Sequence, residues 1–244
     1  MSYEEIDDLA PKQNVWDKAL ARKNVNGRNL LVVDMNNLAY RYKQRGQVEF
    51  HEDMLRTVES LAKSYSAVHV VCCWDWRSSS YRKSIFSGYK GGRKEKYKDQ
   101  TPEEKLQAEM FFNGLDEAYQ HLKASEKFNT NLTNFKFEFV EADDLIAITV
   151  QMMEDIVDHI WIISTDQDFC QLVSSKVSIF AYKSRKEFTV DTLFEFTNAD
   201  SGEQHLFIKC LQGDSGDSVP GVPDVGPKRG YGLAREYGDI FNLI

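Results

Sequence analysis

Leu30-Leu31-Val32-Val33-Asp34 is an apolar run that ends on an acid, and the same form recurs three times. Val70-Val71-Cys72-Cys73-Trp74 closes on Asp75. Phe135 to Val140 closes on Glu141, with Asp143 and Asp144 just after. Trp161-Ile162-Ile163 closes on Ser164-Thr165-Asp166, with Asp168 two residues further on. Short apolar runs bounded by polar residues are expected to be buried strands, here of a parallel sheet. Ligands of such sheets bind outside the carboxyl ends of the strands, so four strand ends aim acids into one crevice. Two unit charges about 4 Å apart repel by roughly 4 kcal/mol at an effective dielectric near 20. Such a crowd must take up protons or hold cations, and cations point to metal-dependent chemistry.

Between these runs the apolar spacing becomes helical. Residues 53–65 repeat Met54, Val58, Leu61, Ala62 and Tyr65. Thr101-Pro102-Glu103-Glu104 supplies an N-cap, a first-turn proline and a capping-box acid, and the helix it opens aligns Ala108, Phe111, Leu115, Ala118, Tyr119 and Leu122. After Asp143 and Asp144 the spacing predicts a helix whose buried stripe is Leu145, Ile148, Met152 and Ile156. Val177 to Tyr182 reads as a further strand. Alternating strands and helices predict an α/β fold, a central mostly parallel sheet flanked by helices. Residues 1–28 read as a polar leader, helical in part around Val15-Trp16 to Leu20. Residues 29–200 form the core. In the tail, 201–244, a helix over Glu203–Gln212, a dense Gly/Pro turn region from Gly213 to Gly226 and a second helix opened by Pro227-Lys228-Arg229 resemble a module that reads nucleic-acid backbone.

The net charge of −8 argues against a simple nucleic-acid coat. The bases are nevertheless concentrated. Arg82, Lys83, Lys90, Arg93, Lys94, Lys96 and Lys98 face a single acid, Glu95, between Tyr81 and Lys98, which is an electrostatic handle for phosphates. That stretch, with Gly88, Gly91 and Gly92, reads as a long flexible or partly ordered segment. The four cysteines form no C-x-x-C pair and no zinc spacing, and are expected to be reduced, buried thiols. The five histidines are scattered and lack H-x-x-x-H spacing. With no signal-peptide pattern and no run near the roughly 18 apolar residues of a membrane span, the expected location is the cytoplasm, the host's if the chain is viral.

Each acid has a simpler reading. Asp143 and Asp144 suit a helix first turn through the dipole, and Asp214 and Asp217 in a Gly/Ser loop suit turn formation. The Gly221–Lys228 stretch nearly mimics a P-loop, but Pro227 sits where the lysine should follow the second glycine, and no Ser or Thr follows Lys228. Asp34-Met35-Asn36 lacks the second acid of the D-x-D of haloacid-dehalogenase-type phosphatases.

Several motifs in one order carry a more specific signal. Glu141-Ala142-Asp143-Asp144, Ser164-Thr165-Asp166-Gln167-Asp168, and Gly213-Asp214-x-x-Asp217-x-x-x-Gly221-Val222-x-x-Val225-Gly226-x-Lys228 together resemble the 5′-nuclease family of flap endonucleases and 5′–3′ exonucleases. Tyr89-Lys90-Gly91-x-Arg93 matches that family's basic arch. The resemblance runs from about Asn29 to Tyr237 and is strongest to bacteriophage-type members. It departs at Arg229-Gly230, where many members have a small residue and Ala, and relatives usually continue with further helices beyond the tail module.

The resemblance implies a PIN-like core with two Mg²⁺ (or Mn²⁺) ions. One group of ligands is Asp34, Asp75, Glu141 and Asp143; the other is Asp144, Asp166, Asp168, Asp214 and Asp217. It implies a helical arch from about Arg77 to Leu122, with Lys90 and Arg93 at the scissile phosphate and Tyr89 stacked on a base. Arg41 is expected to hold DNA near the site. The tail would be a helix–three-turn–helix, gripping duplex through Gly221, Gly226, Lys228 and Arg229, with K⁺ at its turn. The implied activity is structure-specific, divalent-metal-dependent hydrolysis near the junction of a 5′ single strand and a duplex, in primer removal during replication. The implied partners are 5′-flap, 5′-overhang and junction DNA, and RNA primer–DNA hybrids, with no membrane. A non-catalytic DNA-junction binder of the same fold and a metal-dependent phosphatase are the alternatives. The first would gain nothing from the acids, and the second would not need the basic arch.

Overall fold

The computed structural model describes residues 27–76, 80–238 and 240–243, with the backbone alone at 94–97. The expected leader helix around Val15–Leu20 and the expected arch start at Arg77 lie outside the described residues. Six strands form one sheet in the order β3-β2-β1-β4-β5-β6. They are β1 (Asn29–Asp34), β2 (Ala67–Cys73), β3 (Leu132–Phe135), β4 (His159–Ile163), β5 (Val177–Ala181) and β6 (Lys186–Phe188). All neighbours are parallel except β5 and β6. β1 is central and buried along its whole length, as a near-continuous apolar run requires.

Alternate residues of β1 face opposite layers. Leu31 and Val33 pack with α1 (Met35–Gln44), α2 (His51–Ser64) and α5 (Pro102–Ser125) through Met35, Leu38, Met54, Val58, Phe111 and Leu122. Leu30 and Val32 pack on the other side with α6 (Ala142–Met153), a 3₁₀ turn (Gln167–Leu172) and α7 (Leu193–Thr197) through Ile146, Val150, Phe169 and Leu193. The capping box expected at Thr101 forms, with Thr101 and Glu104 satisfying each other's backbone.

Two spans differ from the sequence reading. The third strand is Leu132–Phe135, not Phe135–Val140. Its polar Thr133 and Asn134 hide it from a hydrophobic pattern, although Asn134 is buried and accepts from Trp74 Nε1 at 3.0 Å. Phe139 takes a left-handed φ of 63°, which ends any extended run there and leaves Phe137 and Phe139 exposed. The inner face of α6 is Ala142, Leu145, Ile146, Thr149 and Val150 rather than the stripe through Ile148, Met152 and Ile156, which is exposed. Thr149 is buried because its hydroxyl donates to the Leu145 carbonyl at 2.6 Å. The cysteine expectation holds for Cys72, Cys73 and Cys170, but Cys210 is exposed.

The expected arch divides. α3 (Ser80–Ile85) buries no residue, and α4 (Gly91–Lys98) follows the turn at Tyr89 and Lys90. From Ala108 onward α5 belongs to the core, because its apolar face is covered by α2 and β3, so the segment does not stand free as far as Leu122. The tail consists of α8 (Gly202–Gln212), α9 (Pro227–Tyr237) and α10 (Ile240–Leu243), built on its own small core of Phe207, Ile208, Leu211 and Ala234. Gly230 sits at the α8–α9 crossing, where a Cβ would meet Ile208 at 3.3 Å. Among the described residues no helix is long and apolar enough to cross a membrane.

Gly114 shows packing overriding propensity. A Cβ there would lie 2.3 Å from the Val48 carbonyl and 3.0 Å from the Phe50 ring. Gly114→Ala improves helix propensity by about 1 kcal/mol, yet it should lower stability by about 1–3 kcal/mol through overpacking. Urea unfolding checks the sign; a more stable variant would show that the chain near Val48 yields freely.

Candidate metal and nucleic-acid site

The crevice lies at the carboxyl ends of β1, β2 and β4. It has a volume of about 480 Å³ and is lined by Asp34, Asn36, Asn37, Tyr40, Asp75, Lys90, Arg93, Gln100, Asp143 and Asp166. Three of the acids that line it are fixed by hydrogen bonds. Asp34 caps α1, accepting from the Asn37 amide at 3.0 Å and from Ser164 Oγ at 3.0 Å. Asp75 accepts from the Ala142 amide at 2.7 Å, so the start of α6 is tied to the end of β2. Asp166 accepts from the Asp168 amide at 2.9 Å, at the start of the 3₁₀ turn. Capping preference and strand-end position thus place these carboxylates together.

The outer acids hold basic side chains. Glu141, almost fully buried, accepts from Lys90 Nζ at 2.9 Å and from the Tyr89 hydroxyl at 2.8 Å. Asp144 receives both arms of the Arg82 guanidinium at 2.7 and 2.8 Å. Lys209 of α8 reaches Asp168 and Asp214, each at 2.8 Å, joining tail to core. Arg93 pairs with Asp217 at 2.8 Å, and the Lys90 amide donates to the Asp217 carbonyl at 2.8 Å. The basic segment is therefore fastened both to α6 and to the tail turn.

The nine acids expected to bind metal all lie on these connected elements. Asp34, Asp75, Asp143 and Asp166 line the crevice itself, whereas Glu141, Asp144, Asp168, Asp214 and Asp217 ring it through their cationic partners. Among the described residues no three such side chains already converge in a metal-holding arrangement. Lys90 and Arg93 line the crevice as expected. Tyr89 does not match a base-stacking role: its ring is buried, and its hydroxyl is committed to Glu141. Arg41 points elsewhere. Its guanidinium lies 4.4 Å from the Tyr42 ring and 4.7 Å from the Tyr182 ring, in a separate cleft with Arg45, Arg56 and Arg185. Lys228 and Arg229 are exposed in the first turn of α9, which has no side-chain cap. Gly221 is required sterically, since a Cβ would lie 2.1 Å from the Gln212 carbonyl, while Gly226 borders open space.

Sequence reasoning gave no site role to Asn36, Asn37 or Lys209, and named Arg82 only within the basic stretch and Ser164 only within a motif. Asn36 accepts from the Asp75 amide at 3.2 Å, and Asn37 accepts from the amide and hydroxyl of Thr165 at 3.0 Å each. The polar doublet after Asp34 was the available signal for two of them. For Lys209 it was the lysine five residues before Asp214.

Burial raises the proton affinity of the inner acids. Asp143 is pushed up to about 7 by burial and by Asp166 and Asp75. Asp34 is raised by burial and Asp143, and Asp75 and Asp166 are raised chiefly by burial. Asp214 is lowered by its bond to Lys209. The donor set is all oxygen, which fits hard divalent ions such as Mg²⁺ or Mn²⁺ better than softer metals. A carboxyl raised on folding binds more protons in the folded than in the unfolded state, so its contribution to stability falls as pH rises from its unfolded to its folded value. For Asp143 that window runs from 3.8 to about 7. The Tm of chelator-treated protein should therefore fall between pH 5 and pH 7, and Asp143→Asn should flatten the fall. An identical slope in the variant would remove Asp143 as its source.

The family model described as the 5′–3′ exonuclease N-terminal resolvase-like domain matches residues 29–198. The flap endonuclease of Escherichia phage T5 is 38% identical over 218 residues, 89% of this chain and 73% of that protein. The 5′–3′ exonuclease of Bacillus subtilis is 31% identical over 194 residues, 78% of this chain and 60% of that protein. A structure of the phage T5 5′-exonuclease with bound zinc superposes with a TM-score of 0.82 at 38% identity, covering 88% of this chain and 78% of that one. A phage T5 flap endonuclease variant in a pseudo-enzyme–product complex with DNA and metal ions gives 0.81, with the same identity and coverage. The agreement in sequence and fold means that the chain belongs to the family of 5′–3′ exonucleases and flap endonucleases.

Proposed function

We propose that the protein is a structure-specific, divalent-metal-dependent 5′ nuclease that hydrolyses phosphodiesters near the junction of a 5′ single strand and a duplex. The observation that carries this reading is one crevice walled by Asp34, which is buried, by Asp75 and Asp143, which are half-buried, and by Asp166 at its mouth, and bordered by Lys90 and Arg93. Acids alone would repel a phosphodiester; the two bases give it a reason to approach.

The nine acids would hold two Mg²⁺ ions, with Mn²⁺ as a substitute. When bound, such ions supply Lewis acidity toward the phosphate and the attacking water. Lys90 and Arg93 stabilise the charge that builds on the phosphoryl oxygens. Tyr89 positions Glu141 through its 2.8 Å hydrogen bond rather than by touching a base. Asp34, Asp75 and Asp166 are held by their hydrogen bonds at strand ends and first turns. Duplex would dock on the uncapped start of α9, where backbone N–H groups, Lys228 and Arg229 face solvent and Gly226 leaves room for a phosphate. Carbonyls of the preceding turn would hold K⁺, and Arg41 would meet DNA outside the crevice. The fitting biological use is removal of RNA primers during replication, with RNA–DNA hybrids among the substrates.

An end-labelled 5′-flap duplex tests this with Mg²⁺ and with chelator, the products being sized and a nucleoside monophosphate serving as the phosphatase control. Junction-sized products that require Mg²⁺ are expected; binding without cleavage would leave a junction-binding protein, and release of phosphate from the monophosphate would favour the phosphatase. Lys90→Ala should slow single-turnover cleavage by about 100-fold or more, with circular dichroism unchanged, and an unaltered rate would sink its role. Asp166→Ala should lose Mg²⁺-dependent cleavage yet retain flap binding in a gel-shift titration, tightened by the lost repulsion. Cleavage retained in that variant would show that Asp166 holds no essential ion.

A further inference from the structure

α3 has no buried residue, and its Tyr81 and Ile85 are 71% and 69% exposed. Apolar burial, the usual anchor of a helix, is missing there. The segment 80–93 is secured instead by Tyr89 and by charge. Arg82 forks onto Asp144 at 2.7 and 2.8 Å and lies 3.4 Å from Glu141, while Lys90 reaches Glu141 at 2.9 Å. Asp144 and Glu141 occupy the first turn and N-cap of α6. Under the function proposed above, on which this inference rests, both are ion ligands.

We infer that Arg82 is a positioning residue that competes with the divalent ions for Asp144 and Glu141, so that ion binding loosens the 80–93 segment and the fastened segment weakens ion binding. Both oxygens of Asp144 already accept from the guanidinium, and a dication taken up by the same carboxylate has the same sign of charge as Arg82. The pair is not locked in the interior: the side chains of Arg82 and Asp144 are 31% and 36% exposed. Partly exposed ion pairs are weak, and the guanidinium has water to move into. A dication bound by several carboxylates therefore displaces it. Because coupling between two binding events is reciprocal, removing the fork must strengthen ion binding by the factor by which ions weaken the fork.

The test uses the full chain with Ca²⁺ as the probe, followed by calorimetric titration and by hydrogen exchange of the amides in 80–93. Arg82→Gln should bind Ca²⁺ about fivefold more tightly or better. Arg82→Lys separates competition from simple charge: it retains the charge but not the fork, so it too should bind more tightly than the parent. In the parent, Ca²⁺ should speed exchange in 80–93; in Arg82→Gln exchange should be fast from the start and respond little. Equal or weaker Ca²⁺ affinity in both variants, or slower exchange in the parent on adding Ca²⁺, would overturn the competition while leaving the metal reading standing. Absence of binding in every protein, with Mg²⁺ and Mn²⁺ as well as Ca²⁺, would remove the metal site itself and the competition with it. Both variants are first shown to melt cooperatively by circular dichroism.

Discussion

The mutual repulsion of carboxylates gathered at the carboxyl ends of a buried parallel sheet is the constraint around which this molecule is arranged. Asp34, Asp75, Asp143 and Asp166 share one cavity, and desolvation, added to by neighbouring carboxylates, pushes each toward its protonated form. Left to itself such a cluster would spread apart. It is held by donors aimed from fixed positions: Ser164 and the Asn37 amide on Asp34, the Ala142 amide on Asp75, the Asp168 amide on Asp166. Those donors in turn depend on the two apolar layers that clamp β1 from both sides. The core thus supplies the stability that the site costs.

The second consequence is the placement of positive charge. Every acid around the rim that is not braced by an amide is met by Lys or Arg from another element: Arg82 and Lys90 from the basic segment, Lys209 from the tail, Arg93 across to Asp217. These pairs join the basic segment, the core and the tail. The net charge of −8 conceals this pattern, since the signs are sorted by element rather than mixed.

Much of this was legible in the residues. The runs ending at Asp34, Asp75 and Asp166 become strand ends, and the parallel order follows from their continuous apolar character. The motifs at Glu141 and Ser164 place their acids without any knowledge of packing. β3 escaped because its buried Asn134 is satisfied by hydrogen bonds to Trp74 and the Leu122 carbonyl, which pattern reading counts as polarity. Thr149 hid the true inner face of α6 in the same way, by spending its hydroxyl on its own helix. Arg41 and Tyr89 show a different shortfall. Motif order assigns a residue to the site, but only the packed structure tells which way its side chain points and whether its ring is open.

The division of labour between elements explains why acids and bases behave differently here. Most of the acids sit at strand ends, N-caps and first turns, positions whose backbone is fixed by the sheet and by helix hydrogen bonds; the bases sit on α3, which buries no residue, on the turn anchored by Tyr89, and on the tail, which has its own small core. Under the proposed function the acids hold ions and must keep their geometry, because electrostatic stabilisation is effective only when it needs no reorganisation at the moment of reaction. Bases proposed to meet phosphate face the opposite requirement. They neutralise the carboxylates they pair with, then exchange that partner for a substrate of the same sign as the acids they leave. A base buried on a rigid strand could do the first but not the second. Long side chains on sparsely packed elements can do both, so the weak anchoring of 80–93 follows from its chemistry.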